Sequence, residues 1–318
     1  MPYEQRYYRI ESDGRLTSLE AKGLVAAEQG VQGGGASAPH ESTLSLQQQP
    51  RQAEHSPRPA VLLSPTVAPS SCSTEATLPK VTPAAAEEKE AWVYQTFERI
   101  SGHYDFMNDL ESFGLHRAWK HHLVKAVRAL APQQVLDVAS GTGDIALALV
   151  RTNPQAQVTG FDFSESMLEV ARKRANKLAH PPDNLRFVQG NALDMPFEDE
   201  SFDVVTISFG LRNMSDYQRV CEEMVRVLKP GGTLLCLEAS YPTAALVKPA
   251  FRLYFRHIMP AMATLITRKP AEYRWLNDST EAFLSKPQLV YLLQSCGLSD
   301  VHYRSFAAGV AALHTGVK

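Results

Sequence analysis

The chain has 318 residues, 44% of them hydrophobic and 21% charged, with a formal net charge of −2. That is enough apolar material for one packed domain plus a substantial extra segment. Residues 1–88 carry 7 basic and 10 acidic side chains and the remainder 25 and 24. Duplex binding rests on clustered Lys and Arg neutralising phosphates, so this balance speaks against a nucleic-acid partner.

Cys72, Cys221, Cys236 and Cys296 are scattered without C-x-x-C spacing. They form neither a disulfide scaffold nor a zinc site, and Cys221 and Cys236, inside apolar-periodic stretches, read as buried reduced thiols. The histidines likewise lack metal-site spacing. No uncharged apolar run of about 18 residues is present, and the first 15 residues mix acids and bases without an apolar centre, unlike a secretory signal. These features predict a reduced, cytoplasmic-type compartment.

Residues 1–88 are predicted to be a disordered, polar, Pro-rich extension. From Leu24 to Glu88 there is no aromatic residue, and the stretch holds Gly33-Gly34-Gly35, Gln47-Gln48-Gln49 and eight prolines. Such a composition buries too little apolar surface to offset its ordering entropy. Within the first 23 residues, Asp13-Gly14 marks either a small hairpin or a fraying terminus.

An ordered domain is predicted over 89–318. Val93, Phe97 and Ile100 recur at helical spacing, and a second amphipathic stretch runs over 115–130. Strands follow at 135–139, 158–162, 185–189, 202–208 and 233–239, alternating with helical patterns at 144–152, 164–178 and 215–228. Residues 301–306 and 309–316 read as a final strand pair. Ser215 and Gln218 are predicted to form a capping box, and Lys229-Pro230-Gly231-Gly232 a tight turn. Strands alternating with helices on both faces define an open, mostly parallel α/β sheet.

The first strand runs into Asp137-Val138-Ala139-Ser140-Gly141-Thr142-Gly143-Asp144. Gly141 and Gly143 at a strand-to-helix turn let the backbone approach a ligand, beside the free N–H groups of a helix N-terminus. Asp162 closes the second strand, where a carboxylate accepts hydrogen bonds from ribose hydroxyls across the sheet's switch point. A dinucleotide gives no reason for the acid at Asp137. S-adenosylmethionine does, because its ammonium pairs with a carboxylate beside the loop directly or through water. Asn191 after the third strand either reads adenine or makes an ordinary Asx turn. Asp137 through Gly143 together with Arg226-Val227-Leu228-Lys229-Pro230-Gly231-Gly232 resemble the class I S-adenosylmethionine-dependent methyltransferases. That resemblance implies a Rossmann-like, seven-stranded, mostly parallel sheet.

More specific segments are Tyr104-Asp105-Phe106-Met107-Asn108-Asp109, Ser112 to Lys120, Gly190-Asn191-Ala192, Phe209-Gly210-Leu211-Arg212-Asn213 and the C-terminal Ala312 to Lys318. On these the chain resembles the C-methyltransferases of ubiquinone and menaquinone biosynthesis (the UbiE/MenG type) over about residues 91–318. The resemblance implies donor contacts by Thr142, Asp162, Asn191-Ala192 and Ser208. The family often has Gly-Gly before Thr-Gly-Asp, and Ser140 in the first of those places fits if its φ is negative. The segment Leu237 to Pro242, with Tyr254-Phe255 and Tyr273 to Leu276, is more similar to the menaquinone branch. The implied reaction is C-methylation of demethylmenaquinol, the last step of menaquinone biosynthesis; the alternatives are a 2-methoxy-6-polyprenyl-1,4-benzoquinol in ubiquinone biosynthesis or another small molecule.

Methylation of a ring carbon needs a reduced, electron-rich quinol, helped by a base or by a cation that steadies the phenolate. Arg212, permanently cationic, is the candidate phenolate stabiliser, with a structural salt bridge as its other reading. His116, titrating near neutrality, is the candidate base. Tyr104, Asp109 and His314 are weaker candidates, and Met107 and Trp119 read as packing. Residues 244–267 place Lys248, Arg252 and Arg256 along one face of an apolar helix. That pattern suits either a core helix or peripheral contact with an anionic membrane surface that delivers the polyprenyl quinol. A homodimer is neither required nor excluded by the sequence.

Overall fold

The computed structural model describes residues 7–10, 16–19, 112–242 and 282–318, with Lys89, Val93, Glu98, Asp109, Pro249, Phe251, Leu253, Tyr254, Ser279 and Thr280. Tyr104, Met107, Phe97, Ile100, Lys248, Arg252, Arg256 and Cys72 lie outside the described residues. Near the N-terminus, β1 (Tyr7–Ile10) and β2 (Leu16–Leu19) pair antiparallel, Tyr7 opposite Leu19, which is the hairpin reading of Asp13-Gly14.

The main sheet has seven strands: β3 (Gln134–Val138), β4 (Gln157–Asp162), β5 (Leu185–Gln189), β6 (Phe202–Ser208), β7 (Leu228–Ala239), β8 (Ser299–Phe306) and β9 (Ala311–Val317). Their order is β5-β4-β3-β6-β7-β9-β8. β9 runs antiparallel to both of its neighbours, while β5 to β7 pair in parallel. The order reverses between β3 and β6, and ligands in open α/β sheets bind at such a switch point, beyond the carboxyl ends of the strands.

Helices cover both faces, so the central strands are apolar on both sides. α1 (Leu115–Leu130) and α2 (Asp144–Thr152) bury Trp119, Leu123, Val127, Ile145 and Leu149 against Val135, Val158, Val204, Leu235 and Leu237. α4 (Tyr217–Val227) and α5 (Lys286–Ser295) bury Val220, Cys221, Met224, Leu289 and Leu293 against Leu136, Val138, Ile207, Leu234 and Cys236. α3 (Glu165–Asn176) follows β4 and buries Met167, Leu168 and Ala171. Trp119 packs its ring near Phe209 and Phe306, as a core residue, and Cys221 and Cys236 are buried free thiols.

Two local expectations are refined. α4 is capped by Asp216, whose carboxylate accepts from the Arg219 N–H at 2.9 Å, rather than by Ser215. Asp216 is the extended residue immediately before the helix, so its side chain reaches the free amide and Ser215 sits one residue too early. The full capping box belongs instead to Ser285 and Gln288 at α5. The predicted turn at Lys229 to Gly232 is a bulge inside β7, with pairing jumping from Phe202–Leu228 to Val204–Thr233. The C-terminal residue holds it: the Gly231 N–H donates to the Lys318 carbonyl (2.8 Å) and the Lys318 ammonium to that of Leu228 (2.7 Å).

Gly210 lies where the β6 loop crosses the end of β3. A methyl there would sit 2.5 Å from the Ala139 Cβ, and both atoms are fixed to backbone. Gly210→Ala is expected to lower unfolding stability by about 1–3 kcal/mol, the usual cost of overpacking; urea denaturation checks this, and an unchanged midpoint would contradict it.

Candidate active site

Four strand ends converge on one cavity of about 480 Å³. Its walls include Ala139 and Gly141 after β3, Phe161 and Asp162 at the end of β4, Gln189 to Leu193 after β5, and Phe209, Gly210 and Asn213 after β6. The lining is mainly apolar with a few convergent polar groups, as expected of a small-molecule site.

The loop between β3 and α2 needs left-handed backbone at Ala139 (φ 53), Gly141 (φ 55) and Gly143 (φ 82). Glycine meets that demand freely at two of the three positions, while Ala139 carries strain. Ser140 is not among the left-handed residues, so the departure from Gly-Gly is accommodated. Behind the loop, Arg174 donates to the Thr142 hydroxyl (3.1 Å) and to Asp144 (2.9 Å), and Lys120 pairs with the other Asp144 oxygen at 3.1 Å. Thr142 is thus buried and bound toward α3, outside the cavity lining.

Asp162 is buried at the cavity wall. Its Oδ2 accepts from the Gly141 N–H at 2.8 Å and its Oδ1 from the Ser164 N–H at 2.9 Å. Burial pushes its pKa up to about 6, against the pull of those amides. Asp137 is also buried, and burial raises it to about 7 although the Thr206 hydroxyl donates to it at 2.8 Å. Asp137 Oδ2, Ser140 Oγ, Ser208 Oγ and Asn213 Oδ1 are buried without a hydrogen bond of good geometry. Of these only Asn213 lines the cavity; Asp137, Ser140 and Ser208 lie behind it. Asn191 makes the Asx turn, accepting from the Leu193 N–H at 3.0 Å, and it also lines the cavity with Ala192.

The two candidate catalytic residues are less exposed to the cavity than expected. Arg212 is buried and pairs with buried Glu238 at 3.1 Å, while donating to the Phe209 carbonyl at 2.8 Å. Burial raises the Glu238 pKa and the guanidinium opposes it. His116 is buried against Ser112 (2.8 Å) and lies 3.8 Å from Asp109. Burial, then Lys120, pushes its pKa down to about 4, which corrects the expectation of titration near neutrality. His314 lies inside the sheet on β9, with its pKa pushed by burial to about 3, far from ordinary titration. None of the three lines the cavity.

Other contacts were not foreseen. Val93 lines the cavity, and two residues of the same segment bond around it: the Lys89 ammonium donates to the carbonyl of Met214, a lining residue, and Ser164 donates to Glu98 at 2.7 Å. Only the helical spacing of Val93 hinted at them. Gln189, Ser215 and Met167 also line the cavity without any motif to mark them.

Strand order, cavity position and buried carboxylate together define a Rossmann-like enzyme of the class I methyltransferase type. Known structures share the fold: a chain of Methanococcus maripaludis assigned as an S-adenosyl-L-methionine-dependent methyltransferase aligns with TM-score 0.51 and 16% identity, over 70% of this chain and 93% of that one. Residues 85–318 match the ubiE/COQ5 methyltransferase family. The demethylmenaquinone methyltransferase of Staphylococcus haemolyticus is 42% identical over 72% of this chain and 95% of its own length. That of Halalkalibacterium halodurans is 42% identical over 73% and 94%, respectively. The chain belongs to the ubiE/COQ5 methyltransferase family.

Because the His116 pKa in the fold lies below its unfolded value, the unfolded chain binds more protons between pH 6.5 and 4. Stability from keeping His116 neutral is therefore lost as pH falls through that window. His116→Asn is expected to shrink the difference in unfolding free energy between pH 7 and 4.5 by about 2 kcal/mol. Denaturation at both pH values measures it, and an unchanged difference would contradict the assignment.

Proposed function

We propose that the chain transfers the methyl group of S-adenosylmethionine to a ring carbon of demethylmenaquinol. The observation that carries this is the buried Asp162 carboxylate at the wall of the switch-point cavity, in a chain whose relatives at 42% identity are demethylmenaquinone methyltransferases. The donor supplies an electrophilic methyl on a sulfonium. Asp162 offers its remaining lone pairs to the ribose hydroxyls, and Asn191 and Ala192 border the adenine. Gly141 and Gly143 let the loop approach the methionine end, where Asp137 acts on the ammonium through water. Ser208, just behind the lining at the end of β6, carries a buried hydroxyl without a hydrogen bond. Thr142 contributes by anchoring the loop to Arg174.

The main contribution of the protein is to hold the acceptor carbon in line, at about 3–3.5 Å from the methyl. Arg212, in the turn after β6, pairs with Glu238 behind the lining and is proposed to steady the developing phenolate. His116, held neutral by burial, is too weak a base to carry the proton step, so acceptor activation is assigned to Arg212. The polyprenyl tail favours contact with an anionic membrane surface at the helix predicted over 244–267. Of that stretch, Phe251 is buried while Leu253 is 58% exposed, and among the described residues no helix is long and apolar enough to cross a membrane.

Incubation with methyl-labelled donor and either demethylmenaquinol or a demethylated polyprenyl benzoquinol, followed by mass spectrometry, tests the assignment. Demethylmenaquinol is expected to gain one methyl and the oxidised quinone none; preferential methylation of the benzoquinol would overturn the acceptor. Arg212→Lys is expected to lower kcat about 100-fold, the scale of losing one preorganised charge-stabilising donor.

A further inference from the structure

The wall of the cavity formed by Asn191, Ala192 and Leu193 belongs to a loop with no regular secondary structure. Its position is imposed from behind, by α4. Arg226 spends all five of its N–H donors: Nε and one Nη2 bond go to Glu223 (2.9 and 2.8 Å), the other Nη2 bond goes to the Met195 carbonyl (2.9 Å), and Nη1 reaches the Phe197 carbonyl (2.8 Å) and Asp199 (2.7 Å). Glu223, 2% exposed, accepts from the Met195 N–H at 2.8 Å. Both backbone polar groups of Met195 are therefore held by α4 side chains. Arg219 adds a bond to the Leu193 carbonyl at 3.0 Å and a contact of 3.2 Å with Glu223.

We propose that Glu223 and Arg226 are positioning residues for the methyl donor: through Leu193, Met195 and Phe197 they set the height of the wall against which the adenine lies. This rests on the reading of the cavity as the donor site. Neither residue lines the cavity, so they act by fixing backbone. A planar fork satisfying two carbonyls and two carboxylates cannot be replaced by an ammonium of equal charge.

Calorimetric titration with S-adenosylhomocysteine separates positioning from mere structural support. Arg226→Lys is expected to weaken Kd about tenfold, the equivalent of ~1.4 kcal/mol, with the binding stoichiometry retained. Glu223→Ala, which frees the Met195 N–H and two of the Arg226 bonds, is likewise expected to weaken Kd about tenfold. The exposed Arg219→Ala variant, which removes the Leu193 carbonyl bond and the outer contact with Glu223, is expected to weaken Kd about threefold. A purely structural role would lower the thermal midpoint and the stoichiometry while leaving Kd unchanged. That result, or an unchanged Kd in Arg219→Ala should Arg226→Lys fail to fold, overturns the inference. Wild-type protein that takes up no S-adenosylhomocysteine would instead sink the donor-site reading itself.

Discussion

Asp162 ends β4 with its carboxylate accepting one amide from the glycine loop and one from the cap residue of α3. The Gly141 bond locks the β3–α2 loop onto β4 beside the point where strand order reverses, and the Ser164 bond fixes the start of α3. Everything else at the site is arranged around that bridge. Gly160 belongs to the same constraint, since a methyl there would meet the Phe187 ring at 2.6 Å and Ser140 Oγ at 2.7 Å.

The bridge is held under electrostatic tension. Raising the pKa from 3.8 to about 6 means that burial outweighs the two amide bonds, with Glu98 adding repulsion. Relative to a free aspartate, burial disfavours the ionised form of Asp162 in the fold. Asp137 is under similar pressure. Of the two, only Asp162 stands at the cavity wall, where hydroxyl donors of a ligand would relieve it. The braces behind the walls, Arg174 and Lys120 on one side and Arg226 and Glu223 on the other, keep their charges paired and out of the cavity.

Apart from α5 (Lys286–Ser295), which the sequence reading did not foresee, the strands and helices of the central domain were legible to within about five residues, because strands buried on both faces read as unbroken apolar runs and most helices carry clear stripes. The glycine loop and Asp162 were legible because their chemistry is local: a turn, a helix start and a strand end. What escaped depends on long-range partners. Arg212 meets Glu238 across two strands, Lys89 and Glu98 bond to Met214 and Ser164 from a distant segment, and Glu223 disappears into α4 beside apolar neighbours. The protonation state of His116 was equally hidden, since its burial under α1 is a property of packing and not of its place in a motif. Asp216 took the capping role from Ser215 on a difference of one residue, the ordinary resolution limit of reading helix ends.

The most direct test of the central claim is calorimetric uptake of S-adenosylmethionine by the intact chain and by its Asp162→Ala variant. The account predicts saturable, one-to-one binding to the intact chain. Loss of two charge-assisted hydrogen bonds should weaken binding by the variant about 100-fold or more. Equal affinity of the two proteins would contradict the account.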